Sequence, residues 1–327
     1  MRDDLPPADL YTPLAKKATL DQNARVAGLW GIARSTRTNA LNMWPHAAYQ
    51  QETFVQSELR RPRFLLNGEA GIHRVLVANP RNYRRTPATI RILQPITGEG
   101  LLLSEGETWR RQRQTVAPSL APRVMPMLAQ HVVGVTTRTL SDLEPGTVDA
   151  LGLMQSLTLE IAARSMFSVE MDAHGPTLRR MIAQYGERLG RPTLLDLLLP
   201  PAIPTPRDLS RIAFRLRWLR LMDRIMTARP DTPPDGQARD LFDLLLQARD
   251  PDTGTGFTRP QLRDQMATLI LAGHETTALT LFWALYLLAN APDVQARLAA
   301  EVGTLDPATI ATIPVLKTLP ITRSVIQ

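Results

Sequence analysis

The chain has 327 residues, 44% of them hydrophobic, which excludes a disordered tail and suffices for one large domain or two ordinary ones with a substantial buried core. Basic residues outnumber acidic ones by 38 to 31, for a formal net charge of +7, but only Lys16, Lys17 and Lys317 are lysines, and the arginines run from Arg2 to Arg323 without a dedicated basic patch. A general arginine preference of that kind argues against a nucleic-acid partner. The absence of cysteine excludes disulfides, iron–sulfur clusters, thiolate metal sites and a cysteine nucleophile within these residues.

The opening MRDDLPPADL has acids and prolines where a secretory leader needs a basic start and an apolar run, so a cytoplasmic protein is expected. Between the prolines and glycines the hydrophobic periodicity is mostly helical, and the fold is expected to be mainly α. A strand is predicted over Arg63 to Leu66, then a helix over Glu69 to Ala78 stopped at Asn79-Pro80. Arg81 to Gly100, with Pro87, Pro95, Gly98 and Gly100, is expected to be an irregular, ligand-facing loop. Ser104 and Glu107 have capping-box spacing and predict a helix toward Thr115.

Longer helices are predicted over Arg123 to Leu143, Leu151 to Phe167 and Thr177 to Leu189. Leu194 to Ile203 is an apolar turn broken by two prolines, too short for a membrane span, which needs about twenty residues. Asp208 to Arg229 reads as a basic amphipathic helix with Ile212, Leu216, Leu219 and Ile225 on one side. Arg211, Arg215 and Arg220 are among its charges, as suits a solvated surface helix with scope for peripheral membrane contact. A second capping box, Thr258 with Gln261, opens the longest helix, which continues to Asn290. Pro292 then starts a helix that stops at Gly303, and Ile321 to Gln327 has the pattern of an unfinished helix.

Chemistry is concentrated at two places. In Leu269 to Thr280 a polar cluster, His274, Glu275, Thr276 and Thr277, interrupts an apolar helix. A central carboxylate costs roughly 2.5 to 3.5 kcal/mol in a bilayer helix, which favours a protein core. There Thr276 can turn its hydroxyl back to the preceding turn, and Gly273 leaves backbone bare for something flat. The second place is Gly106 to Arg113, where Trp109 and Arg113 are four residues apart on one helix face. An indole N–H and a guanidinium fork together suit a carboxylate or phosphate. The bland alternatives are a core helix with satisfied polar groups and a packed tryptophan beside a solvated arginine.

Together these features resemble the cytochrome P450 family. Its I helix carries alanine or glycine, glycine, any residue, an acid, threonine, then threonine or serine, matched by Ala272, Gly273, His274, Glu275, Thr276 and Thr277. Its C helix carries a tryptophan or histidine and an arginine four residues on, matched by Trp109 and Arg113. The resemblance implies a P450-like helical fold with a small N-terminal β region, an N-terminal extension over 1–40 and an incomplete domain over 41–327. The C-terminal part, with the K-helix glutamate and arginine and the cysteine loop, is expected to be missing, so no metal ligand is assigned.

The resemblance further implies haem b as cofactor, with Trp109 and Arg113 clamping a propionate and Ala272 and Gly273 beside the ring. The catalytic residues would be Thr276, steadying bound oxygen and an ordered water, and Glu275, feeding protons to that relay. The activity would be that of a monooxygenase inserting one oxygen atom of O2 into an apolar substrate, with electrons from a separate ferredoxin or reductase. Ala88 to Thr97, the helices around Thr177 to Leu189 and Asp208 to Ile225, and the region of Leu269 and Thr280 would shape the substrate. The alternative is a truncated, non-catalytic remnant or helical binding fragment.

Overall fold

The computed structural model describes residues 44–58, 61–168, 174–193, 195–196, 199–200, 202–228, 237–303, 305 and 318–326. The extension expected over 1–40 and part of the apolar turn expected at Leu194 to Ile203 lie outside them. Strands β1 (Thr53–Glu58) and β2 (Arg61–Leu66) form an antiparallel hairpin with Phe54 opposite Leu65 and Val55 opposite Phe64. The β2 strand matches the expectation. Its partner did not register because Phe54 and Val55 are its only large apolar residues, too few to show alternation. The Asn67 side-chain amide closes the hairpin base by donating to the carbonyls of Ala48 and Gln51, both at 2.7 Å.

Helix α1 (Glu69–His73) widens into π-type turns through Ala78. Helix α2 (Pro87–Thr97) then occupies much of the stretch expected to be irregular. Thr86 explains the start, since its hydroxyl accepts the Thr89 N–H at 3.2 Å while Pro87 needs no partner in a first turn. Pro95 falls in the last turn, and Gly98, at φ 60°, ends the helix in the left-handed conformation glycine favours. Helix α3 (Gly106–Val116) also runs as expected, but without the Ser104 capping box. The Ser104 hydroxyl instead donates to Gln112 Oε1 at 2.9 Å.

Helices α4 (Met125–Ser141), α5 (Ala150–Phe167) and α6 (Gly175–Gln184) follow, the last extended by π-type turns through Leu189. After them come α7 (Pro206–Thr227), α8 (Leu241–Gln247), α9 (Arg259–Ala289), α10 (Pro292–Val302) and α11 (Pro320–Ile326). The Thr258 and Gln261 capping box that opens α9 is fully formed. No helix among the described residues is long and apolar enough to cross a membrane.

Two compact units result. In the first, Gln94–Tyr185 with Ile212–Gln327, α5 is flanked by α4, α6, α8 and α9. Its core includes Val135, Met154, Leu157 and Ala278, with Leu153, Ile161 and Phe282 packed around them. The Thr158 hydroxyl of α5 lies 2.8 Å from the Met154 carbonyl and 3.0 Å from that of His274, so one shared proton ties α5 to the middle of α9.

Helix α7 corrects the expected surface helix. Its buried apolar residues are Phe214, Trp218, Leu221, Met222, Ile225 and Met226, so of the expected stripe Ile225 is buried, whereas Ile212 and Leu216 are 57% and 50% exposed. The aromatic stripe, with Phe214 stacked 6.0 Å from Trp218, outcompetes the aliphatic one because it removes more apolar area from water.

Among the described residues the second unit comprises Trp44–Leu93 with Gly186–Arg211. Arg211, expected among the solvated charges, is 1% exposed. Its fork takes Asp196 at 2.6 and 3.0 Å, Asp208 at 3.0 Å and the Leu189 carbonyl at 3.0 Å. Arg91 completes this knot, donating to the carbonyls of Pro200 at 2.8 Å and Ile203 at 2.7 Å and approaching Asp208 at 3.7 Å.

Candidate active site on the long helix

Helix α9 has two chemically different sides. Leu262, Met266, Ile270, His274 and Ala278 recur every fourth residue and are buried. Ala272, Gly273, Glu275, Thr276 and Thr277 are exposed, so the sequence-predicted cluster forms a polar window on an apolar helix. The Thr276 hydroxyl donates to the Ala272 carbonyl at 2.6 Å, and the Thr280 hydroxyl to the Thr276 carbonyl at 2.9 Å. Such back-bonding fixes the hydroxyl proton and turns the oxygen lone pairs outward. Apart from its chain neighbours and the helix's own backbone, nothing lies within 4 Å of where a Cβ on Gly273 would stand, so the backbone there is open to a flat ligand.

His274 behaves differently from its neighbours. It is 7% exposed, its Nδ1 makes no well-formed hydrogen bond, and its carbonyl is the one tied to Thr158. Burial pushes the imidazole pKa below its usual value, against the pull of the Glu275 charge, so the ring is neutral at pH 7. It belongs to the packed side of the helix.

The structure brings Trp109 and Arg113 together on α3, with the guanidinium carbon 5.5 Å from the indole centroid. Trp109 is 37% exposed. The neighbouring arginines are engaged elsewhere: Arg110 pairs with Glu107 at 2.8 Å and Asp252 at 3.3 Å, and Arg111 with Asp250 at 3.6 Å. Arg113 alone of the three has no carboxylate partner among the described residues. A part-exposed tryptophan, whose indole carries an N–H donor, beside a guanidinium without a carboxylate partner among the described residues is a donor set for one anionic group. Among the described residues no hydrogen bond or ion pair joins the α3 pair to the α9 window.

Sequence reasoning missed the groups that hold α3 to α9. The Glu99 N–H donates to Asp264 Oδ2 and the Leu101 N–H to Gln265 Oε1, each at 3.0 Å. The Gln112 amide donates to the Glu99 carbonyl at 3.0 Å while its oxygen accepts the Ser104 hydroxyl. A Cβ on Gly98 would overlap the Asp264 carboxylate, and one on Gly100 the Thr268 hydroxyl, so both glycines permit the close approach. Burial raises the Asp264 carboxyl above its usual range, only partly offset by the Glu99 N–H and nearby arginines. The one available signal was the pair Gly98 and Gly100, spaced to let a turn meet a helix.

Comparison with known proteins bears on these residues together. The chain is 30% identical over 257 residues to a cyclooctat-9-en-7-ol 5-monooxygenase of Streptomyces melanosporofaciens, covering 77% of this chain and 55% of that protein. It is 29% identical over 247 residues to cyclooctatin synthase of the same organism, covering 74% and 53%. The chain thus spans about half the length of these curated relatives. Among solved structures, a retinoic acid-bound cyanobacterial CYP120A1 shares the fold, with a TM-score of 0.71 at 20% identity, over 92% of this chain and 66% of that one. The cytochrome P450 family model matches residues 39–327, a span that contains the hairpin, the Trp109 and Arg113 pair and the whole α9 window, and the chain belongs to that family.

Proposed function

We propose that these residues form the oxygen-side part of a haem monooxygenase that inserts one atom of O2 into an apolar organic substrate. The observation that carries this reading is the polar, partly side-chain-free window of Ala272, Gly273, Glu275 and Thr276 on an otherwise apolar helix. The residues present fit haem on that side: bare backbone at Gly273 admits a flat ring, and Trp109 with Arg113 offers donors for a propionate. An axial thiolate is not among them, because the 327 residues contain no cysteine. Haem, when bound, supplies the activation of O2 and the transfer of an oxygen atom.

The chain's own work is positional and protonic. Trp109 Nε1–H and the Arg113 fork would hold a propionate, and Ala272 and Gly273 would supply the small-residue stretch that admits the ring. With its proton donated to Ala272, Thr276 Oγ1 accepts a hydrogen bond from a water on the exposed face and so fixes that water's place. The Glu275 carboxyl, one residue earlier on the same exposed stretch, delivers protons toward it. Electrons from a separate ferredoxin or reductase complete this reading, in keeping with the family the chain belongs to. The apolar substrate class is supported by the cyclooctat-9-en-7-ol named for the Streptomyces relative.

The test uses these residues joined to a thiolate-bearing segment and loaded with haem. Thr276→Ala is expected to lower product formed per reductant consumed several-fold at equal haem occupancy, and Glu275→Gln to enlarge the solvent isotope effect. An unchanged ratio in both variants would leave the cluster an exposed polar stretch with no part in the chemistry. The second reading is that these 327 residues, which hold no thiolate, do no chemistry of their own and act as a helical binding fragment. In either reading the reduced, carbon monoxide-treated haem complex of the 327 residues alone lacks the red-shifted thiolate band. Only the monooxygenase reading has Arg113→Leu weaken haem binding to the chain, by about tenfold for one charge-assisted contact.

A further inference from the structure

The arginines of α7 fall into two groups. Arg207, Arg211 and Arg215 are structural: Arg207 donates to the Arg191 carbonyl at 3.0 Å, Arg211 is buried on Asp196, and Arg215 donates to the Gln94 carbonyl at 2.9 Å. Arg217, Arg220 and Arg224 have no carboxylate partner among the described residues, and neither does Arg180 of α6. The nearby acid, Asp223, is committed to Arg263 at 3.0 Å. These four guanidinium groups, of which Arg217 donates to the Ala213 carbonyl at 3.3 Å, line one cavity of about 470 Å3 between α6 and α7, wholly within the first unit. Its floor includes Phe214 and Leu221, which are 2% and 6% exposed.

Like charges three and four residues apart on a helix repel, so this clustering costs stability unless an anion joins it. Guanidinium forks match phosphate oxygens in pairs, and the apolar floor offers a hydrocarbon chain a place beside them. We propose that the cavity binds a phosphate group carried on a hydrocarbon, with the headgroup among Arg180, Arg217, Arg220 and Arg224 and the chain over Phe214 and Leu221. Two sources share that chemistry: an anionic lipid in a bilayer and a soluble phosphorylated apolar molecule. No residue of the α9 window or of the Trp109 and Arg113 pair lines the cavity, so this site does not depend on the haem reading.

The experiment titrates the 327-residue chain with dihexanoyl phosphatidic acid below its micelle-forming concentration, with phosphatidylcholine vesicles containing phosphatidic acid, and with inorganic pyrophosphate. The Arg217→Gln/Arg220→Gln variant removes two exposed charges from the cavity, whereas Arg84→Gln/Arg123→Gln removes two exposed charges elsewhere. Binding of the soluble lipid that weakens about tenfold or more in the cavity variant and not in the control supports the site and a soluble ligand. The same dependence seen with vesicles alone supports the site and a membrane source. No binding in any arm, or equal weakening in both variants, overturns the proposal. Pyrophosphate binding as tightly as the lipid overturns the role given to the apolar floor.

Discussion

Asp196 and Arg211 show how much one buried pair can govern. Burial pushes the Asp196 carboxyl up, but the Arg211 fork and the hydroxyl and N–H of Thr193 outweigh it and hold the group at about 2. A carboxyl depressed on folding contributes stability that is complete above its unfolded value near 4 and is lost as pH falls from there toward 2. Acid unfolding of the wild type, followed by circular dichroism, should therefore steepen in that window, and Asp196→Asn should flatten it. At neutral pH the same substitution leaves the buried Arg211 with Asp208 as its remaining counter-charge and should cost about 1.5 to 3 kcal/mol in urea unfolding. Arg211 was legible as an arginine on a helix but not as a buried one. Nothing in its local pattern reveals that Asp196, fifteen residues earlier, folds back onto it.

At the scale of elements, the junction between the turn after α2 and the first half of α9 is a close contact that only glycine at 98 and 100 permits. Gly100→Ala forces a methyl group into the Thr268 hydroxyl and the Asp264 carbonyl, and is expected to destabilise by about 1 to 3 kcal/mol, as overpacking does. A urea midpoint equal to wild type would show that the turn moves aside freely. Thr258→Ala removes one half of the capping box and should cost about 1 kcal/mol, read from the same curves. The Thr258 box was legible because cap and helix are adjacent in sequence. The Ser104 box was not, because Gln112, one helix face away, offered that hydroxyl a buried partner. Similarly, of the prolines that suggested a loop at Arg81 to Gly100, Pro87 stands at a helix start, where a missing N–H costs little, and Pro95 withholds one i→i−4 bond in the last turn, just before Gly98 ends the helix.

For the whole molecule, the C-terminal half of α9 is the conspicuous surface. Leu279, Trp283, Leu285, Tyr286 and Leu287 are between 39% and 55% exposed on one continuous helix. Contiguous apolar area of this kind drives association, because covering it gains about 25 cal/mol per Å2. The 327-residue chain is therefore expected to bind hydrophobic dyes and to elute above its monomer size at micromolar concentration. Trp283→Ser with Leu287→Ser should reduce both effects. A monodisperse, dye-silent wild type would show that this surface is covered in another way.

What the sequence determined by itself was local: most helix positions, the capped start of α9, the four-residue spacing that stacks Arg113 on Trp109, and the order of the α9 window. Backbone hydrogen bonding, capping and helical spacing act over a few residues, so they leave readable marks. Tertiary structure alone decided which side of α7 is buried, which of its arginines are structural and which face a cavity, and that Gly98 and Gly100 serve close packing against α9. Each of those outcomes depends on residues distant in the chain competing to fill or neutralise the same space, and that competition has no period or spacing in the sequence.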